Sequence, residues 1–128
     1  MRFLLDTHAF LWFILNDKSL SPTARQRIVD PANMIEVSPA SYWEIAIKIA
    51  IGKYSLQQPY QVFLEDQIAS NFFLVLPIEI KHTALLTNLP LHHRDPFDRL
   101  LIAQALVEQI PIISGDPQFD LYGVRRIW

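Results

Sequence analysis

The residues of this chain best suited to chemistry are carboxylates that sit beside apolar runs. Asp6 directly follows Phe3-Leu4-Leu5, and Asp116 follows Ile112-Ile113-Ser114-Gly115. Glu44 lies within Ser41-Tyr42-Trp43-Glu44-Ile45-Ala46, and Asp98 stands three residues after Asp95 in Asp95-Pro96-Phe97-Asp98. A charge among apolar neighbours is costly unless something compensates it. Carboxylates clustered without a cation repel one another, and some must protonate. With no cysteine in the chain, thiolate sites are excluded, and oxygen donors alone suit hard cations, Mg²⁺ or Mn²⁺. Ions held this way activate water and offset charge on phosphoryl and leaving oxygens, which is what phosphodiester cleavage requires.

Taken singly, each acid has a plainer reading. Asp95 before Pro96 reads as a helix N-cap, and Asp98 as its reciprocal partner or a favourable charge in the first turn. Asp6 reads as a cap for the helix after the first strand, and Asp116-Pro117 as a turn. Glu44 reads as a solvent-facing residue paired with Lys48 one turn on. Their joint placement favours the metal reading, and sequence alone leaves Asp95 and Asp98 as alternatives for the third ligand, with Asp98 in the better register.

The elements that must position these acids alternate between strand and helix. Strands are predicted at Phe3–Leu5, Met34–Val37, Phe72–Leu76, Ile110–Ser114 and Val124–Ile127. Between them fall helices over His8–Leu15, from Ser21-Pro22 to Val29, from Ser38-Pro39 to Ile51 with Gly52 closing it, from Pro59 to Ser70, over Glu79–Leu89, and from Asp95 to Gln109. This order predicts one α/β domain over residues 1–128, with a mainly parallel sheet of four to five strands covered by helices on both faces in three layers. Sites in such sheets lie beyond the carboxyl ends of strands, where strand order reverses. Asp6 and Asp116 share one pocket if the first and fourth strands are neighbours.

Composition narrows the classes further. The chain has 128 residues, is 51% hydrophobic and 19% charged, and carries a formal net charge of -2. That balance argues against a broad non-specific nucleic-acid binder but not against a nuclease whose acids hold cations. The apolar surplus points to an oligomer, expected to be a homodimer, or to a tight protein partner. Phe3–Leu15 is interrupted by Asp6 and His8, lacks a small-residue cleavage site and is too short to span a bilayer. A soluble cytoplasmic protein is expected, with no membrane role.

Taken together, the segments resemble the PIN-domain family, and within it the VapC-type toxins of bacterial toxin–antitoxin pairs. Leu4-Leu5-Asp6-Thr7-His8-Ala9-Phe10-Leu11-Trp12 is similar to that family's opening motif, and Ser41-Tyr42-Trp43-Glu44-Ile45-Ala46-Ile47-Lys48 to its second. His93-Arg94-Asp95-Pro96-Phe97-Asp98-Arg99-Leu100-Leu101-Ile102-Ala103-Gln104-Ala105 resembles a form of the third found in one branch. Ser114-Gly115-Asp116-Pro117-Gln118-Phe119 and Val124-Arg125-Arg126-Ile127-Trp128 match the end. The resemblance runs in order along essentially the whole chain. It implies Asp6, Glu44, Asp98 and Asp116 as the metal-holding catalytic acids and Ser114 as a site-ordering hydroxyl. It also implies Mg²⁺- or Mn²⁺-dependent endoribonuclease activity on tRNA or other structured RNA, a small antitoxin as partner, and dimerisation.

Around the acids, Arg94, Arg99, Lys48 and Lys53 are candidate contacts to RNA phosphates, with Arg99 foremost. Thr7 is a candidate helix cap or contact to a water of the site. His8, His92 and His93 match no metal-binding spacing and read as structural or RNA-proximal. Trp12 and Trp43 occupy apolar helix positions and are expected in the core. Two alternatives stand beside the nuclease: a non-catalytic PIN fold that binds a partner, and a receiver-like phosphoacceptor. The second normally has adjacent acids after the first strand and a lysine after the last.

Overall fold

Apolar residues alternate along the first strand, and that alternation builds the two halves of the core. The computed structural model describes residues 1–128. Strand β1 (Arg2–Leu5) sends Phe3 and Leu5 to one face of the sheet, and Leu4 to the other. Phe3 and Leu5 pack with Phe10 and Ile14 of α1 (Thr7–Ile14), Ala24 and Ile28 of α2 (Pro22–Val29), and Leu64 of α4 (Tyr60–Ser70). Leu4 packs instead with Leu101, Ile102 and Ala105 of α6 (Pro96–Glu108), together with Phe119 and Tyr122. A strand buried on both faces is what a central position in a three-layer α/β/α arrangement demands.

The remaining strands are β2 (Met34–Val37), β3 (Leu74–Val75), β4 (Ile112–Ile113) and β5 (Arg126–Ile127), and all pairings are parallel, in the order β3-β2-β1-β4-β5. The registers Leu4↔Ile112 and Leu5↔Ile113 make β1 and β4 neighbours. Strand order reverses between them, so the crevice beyond their carboxyl ends is the place such sheets use for a site. The receiver-like alternative is set aside by this topology, because receivers order their strands 2-1-3-4-5.

Helices α3 (Pro39–Ala50) and α5 (Ile80–Leu86) complete the layers. Ser21 and Ser38 cap α2 and α3 with a proline behind each, as expected of an oxygen acceptor before a residue that has no N–H to satisfy. Three strands are shorter than their apolar runs predict. The short edge strand β3 is exposed, whereas Ile110 and Val124 are buried outside their strands. Pro117–Tyr122 forms a 3-10 helix, where sequence suggested at most a turn. No helix is long and apolar enough to cross a membrane.

Candidate metal centre

Four elements bring their ends to the crevice between β1 and β4. Asp6 is the last residue before α1, and its Oδ1 accepts the Ala9 N–H at 2.6 Å. The capping reading and the site reading are therefore compatible, since one carboxylate oxygen ends the helix and the other is left for the pocket. Ser114, fully buried behind β4, accepts the Asp116 N–H on its hydroxyl at 3.1 Å. The same hydroxyl lies near enough to the Asp6 carboxylate to favour its ionised form, so one buried side chain neighbours both strand-end acids. Thr7 and Ser41 share a buried hydrogen bond of 3.0 Å that ties the first turn of α1 to that of α3.

Glu44 is 4% exposed and makes no ion pair with Lys48. The solvent-facing reading of this residue is thus corrected: α3 turns Glu44 inward. Its Oε1 is buried without any hydrogen-bond partner. Asp98 lies at N3 of α6, and its Oδ2 is 3.5 Å from His93 Nε2. Asp95 is the N-cap, with Oδ1 accepting from the Phe97 and Asp98 amides at 2.9 and 3.0 Å. Capping occupies the Asp95 oxygen nearest the helix, which leaves Asp98 the freer of the two acids.

The electrostatics register this convergence. Burial pushes the Asp98 carboxyl up to about 8, and the charges of Asp95, Glu44, Asp6 and Asp116 add to the rise. Burial likewise raises Asp6 to about 6, against the lowering effect of Ser114, the Ala9 amide and His8, and with Asp116 raising it further. No lysine or arginine forms an ion pair with any of Asp6, Glu44, Asp98 and Asp116. The donor set fits a hard divalent cation: carboxylates only, one buried oxygen without a partner, and no lysine or arginine paired with any of the four acids.

No three of these acids bring ligand atoms all within 4.8 Å of one another. Magnesium does not need that crowding, because it keeps several waters and takes one or two carboxylates directly. The one group that does crowd so closely is Glu79, His82 and Glu108, and its lone pairs are taken. His82 Nδ1 accepts the Glu79 N–H at 3.0 Å, while Nε2 meets Glu108 at 2.9 Å. Lys81 and Arg2 meet the same carboxylate at 3.0 and 3.4 Å. This group is an internal ion-pair network that holds its own cations.

The model of the PIN domain matches residues 3–124. This chain belongs to the PIN-domain family. Solved structures share the fold of this PIN domain across nearly its whole length. They include VapBC2 from Rickettsia felis bound to a DNA fragment from their promoter, at 14% identity and TM-score 0.73, covering 98% of this chain and 97% of that one. DNA-bound VapBC from Salmonella typhimurium matches at 17% identity and TM-score 0.68, covering 98% and 96%. VapBC-5 from Mycobacterium tuberculosis, a member of the VapBC family of toxin–antitoxin systems, matches at 15% identity and TM-score 0.59, covering 94% and 89%. No curated protein matches the sequence. PIN domains are generally nucleases that use divalent metals, which agrees with the donor set.

Other predicted residues of the PIN domain are distributed unevenly. Arg99 donates to the carbonyls of Pro90 and Leu89 at 2.8 and 3.1 Å and to Tyr122 Oη at 3.3 Å. Its guanidinium thus pins the loop before α6. Arg94 is exposed, and Lys48 is half-buried on α3. Trp12 packs on Trp128 with ring centroids 5.9 Å apart, at the edge of the core as expected. Trp43 departs from expectation: it is 63% exposed, because the turn that directs Glu44 inward leaves its neighbour facing out. Sequence reasoning missed Tyr122, whose hydroxyl accepts the His92 and His93 amides at 3.2 and 3.1 Å and meets His93 Nδ1 at 2.7 Å. Tyr122 lies in the 3-10 helix and gives no signal in its local sequence.

Proposed function

We propose that this PIN domain is a metal-dependent endoribonuclease and acts as the toxin of a toxin–antitoxin pair. The observation that carries the reading is the set of buried or half-buried acids at the crevice: Glu44 Oε1 is buried without a partner, and no lysine or arginine pairs with Asp6, Glu44, Asp98 or Asp116. Asp6, Glu44, Asp98 and Asp116 are the residues that would hold Mg²⁺ or Mn²⁺, with Asp95 as cap to Asp98. When bound, the metal supplies an activated water and stabilisation of charge on the phosphoryl oxygens. The chain's own share is orientation. The β1–β4 pairing sets Asp6 and Asp116 side by side, Ser114 accepts the Asp116 amide, and the Thr7–Ser41 bond fixes α1 against α3, so that Glu44 faces the same crevice.

The substrate proposed is tRNA or another structured RNA, and the partner a small antitoxin. The toxin–antitoxin setting of VapBC-5, which shares this fold, supports that choice, as do the motifs along the chain. A homodimer in the cytoplasm completes the reading. The test is cleavage of RNA by protein purified free of any antitoxin. Activity should need added Mg²⁺ or Mn²⁺ and stop with EDTA, and Asp6→Asn should abolish it in a folded protein. An Asp6→Asn variant that cuts as well as wild type would overturn the metal assignment. A wild type that binds metal but never cleaves RNA would leave the non-catalytic, partner-binding alternative.

A further inference from the structure

Within α3 and α6, Trp43 is the one large apolar side chain left exposed. Indoles are large and mostly buried on average, so one kept in water asks for an explanation. Its position supplies one. Trp43 adjoins Glu44 in sequence, and its ring lies 5.1 Å from that of Phe97, which adjoins Asp98. The two rings are nearly perpendicular, at 85°, an arrangement that fixes the indole while occupying at most one of its faces. The result is an exposed, braced aromatic surface whose two residues each stand next in sequence to one of the acids.

We propose that Trp43, braced by Phe97, is a stacking platform for an unpaired nucleobase next to the phosphodiester that is cut. The inference rests on the nuclease reading and adds the form of substrate: a strand with a base free to leave its stack. Nucleic acids that are read in single-stranded segments are held by aromatic stacking of this kind, and every base has a face to offer. A nucleobase is the occupant that fits, because a single exposed indole beside the acids offers one stacking face and these two helices expose no second large apolar side chain.

The experiment uses intrinsic fluorescence, since Trp12 and Trp128 pack together and Trp43 is the open indole. A short unstructured oligoribonucleotide should quench wild type in EDTA, and a blunt duplex of the same length should quench it much less. Trp43→Phe should lose the signal but keep affinity in a competition assay, whereas Trp43→Leu, apolar yet unable to stack, should bind about tenfold more weakly. In cleavage assays Trp43→Leu should raise KM by a similar factor, with a smaller effect on kcat. The platform is overturned if Trp43→Leu matches wild type in affinity and KM while wild type still cleaves, and the nuclease reading then survives. If wild type binds unpaired RNA through Trp43 but cleaves nothing, the stacking contact stands, while the nuclease reading falls and with it the placement beside a cut phosphodiester. Neither quenching nor cleavage would overturn both.

Discussion

At the C-terminal end of α6, Glu108 meets His82 at 2.9 Å, Lys81 at 3.0 Å and Arg2 at 3.4 Å. At the N-terminal end of the same helix, Asp98 has His93 at 3.5 Å and otherwise only the charges of other acids around it. The consequences run in opposite directions. The hydrogen bond from His82, then Lys81 and Arg2, draws the Glu108 carboxyl down to about 2, whereas burial and neighbouring carboxylates push Asp98 up to about 8. Glu36 belongs to the first kind as well, with its carboxylate gripped by two nitrogens of Arg2 at 2.9 and 3.1 Å. One helix thus shows that burying acids is not the difficulty. The chain supplies cations where an acid only has to be stable, and withholds them where the acids converge on the crevice. Local conflict of this sort is characteristic of functional sites.

The largest effect expected from breaking the contrast is on cleavage. Loss of residues that merely support metal ligands costs ten- to a hundredfold in activity, so Asp116→Asn should cost more than about a hundredfold. Glu108→Gln should leave the cleavage rate as it is. Stability should show the reverse. Glu108→Gln removes the charge that His82, Lys81 and Arg2 share and leaves them one acceptor oxygen, a loss of about 1–3 kcal/mol by denaturant titration. Should Glu108→Gln abolish cleavage and leave stability alone, the roles assigned to the two ends of α6 are exchanged.

Acidification sharpens the same point. Glu108 is easier to ionise in the fold than in the unfolded chain, where its value is near 4.5. Its contribution is therefore complete above about 4.5 and fades as pH falls through about 2. The thermal midpoint of wild type should drop across that window by more than that of Glu108→Gln. A smaller effect is expected at the other end. At pH 7 folding must either protonate Asp98, whose carboxyl is lifted to about 8, or keep its charge among like charges; Asp98→Asn avoids that cost and should raise the melting temperature of the metal-free protein by a few degrees. Added Mg²⁺ should then stabilise wild type more than the variant. A variant less stable than wild type in EDTA would mean that Asp98 is held by a favourable partner.

Much of this arrangement is legible in the chain because it depends on local signals. Ser38-Pro39 and Asp95-Pro96 announce helix starts, and the helices they open carry Glu44 in the second turn and Asp98 in the first. Phe3-Leu4-Leu5 and Ile112-Ile113 announce buried strands, with Asp6 and Asp116 just past their ends. What is not legible depends on pairings far apart in sequence. The Arg2–Glu36 contact exists because β1 and β2 lie parallel in the register Leu4↔Glu36, and no property of either residue fixes that register. The Tyr122 hydroxyl gathers His92, His93 and Arg99 only after a 3-10 helix has brought it back over the loop before α6. Trp43 was expected in the core because apolar periodicity counts an aromatic as core whichever way it points. Its exposure follows from the rotation of α3 that buries Ile45 and Glu44.

The mildest perturbation tests whether the unneutralised end of the molecule also needs exact placement. Gly115 stands between Ser114 and Asp116, and a Cβ there would lie 2.9 Å from Trp128 Cε2 and 3.0 Å from Cζ2. The Trp128 indole is itself packed on Trp12, so a methyl group must displace either the indole or the backbone that carries Asp116. Misplacement by a fraction of an ångström in a site that works through orientation costs rate before it costs stability. Gly115→Ala should therefore cleave about three- to tenfold more slowly with an unchanged fold. Trimming the obstacle should reverse the loss: Gly115→Ala combined with Trp128→Ala should cleave faster than Gly115→Ala alone. If the double variant is slower still, the indole contributes to the site in its own right, and crowding is not what makes glycine necessary at this position.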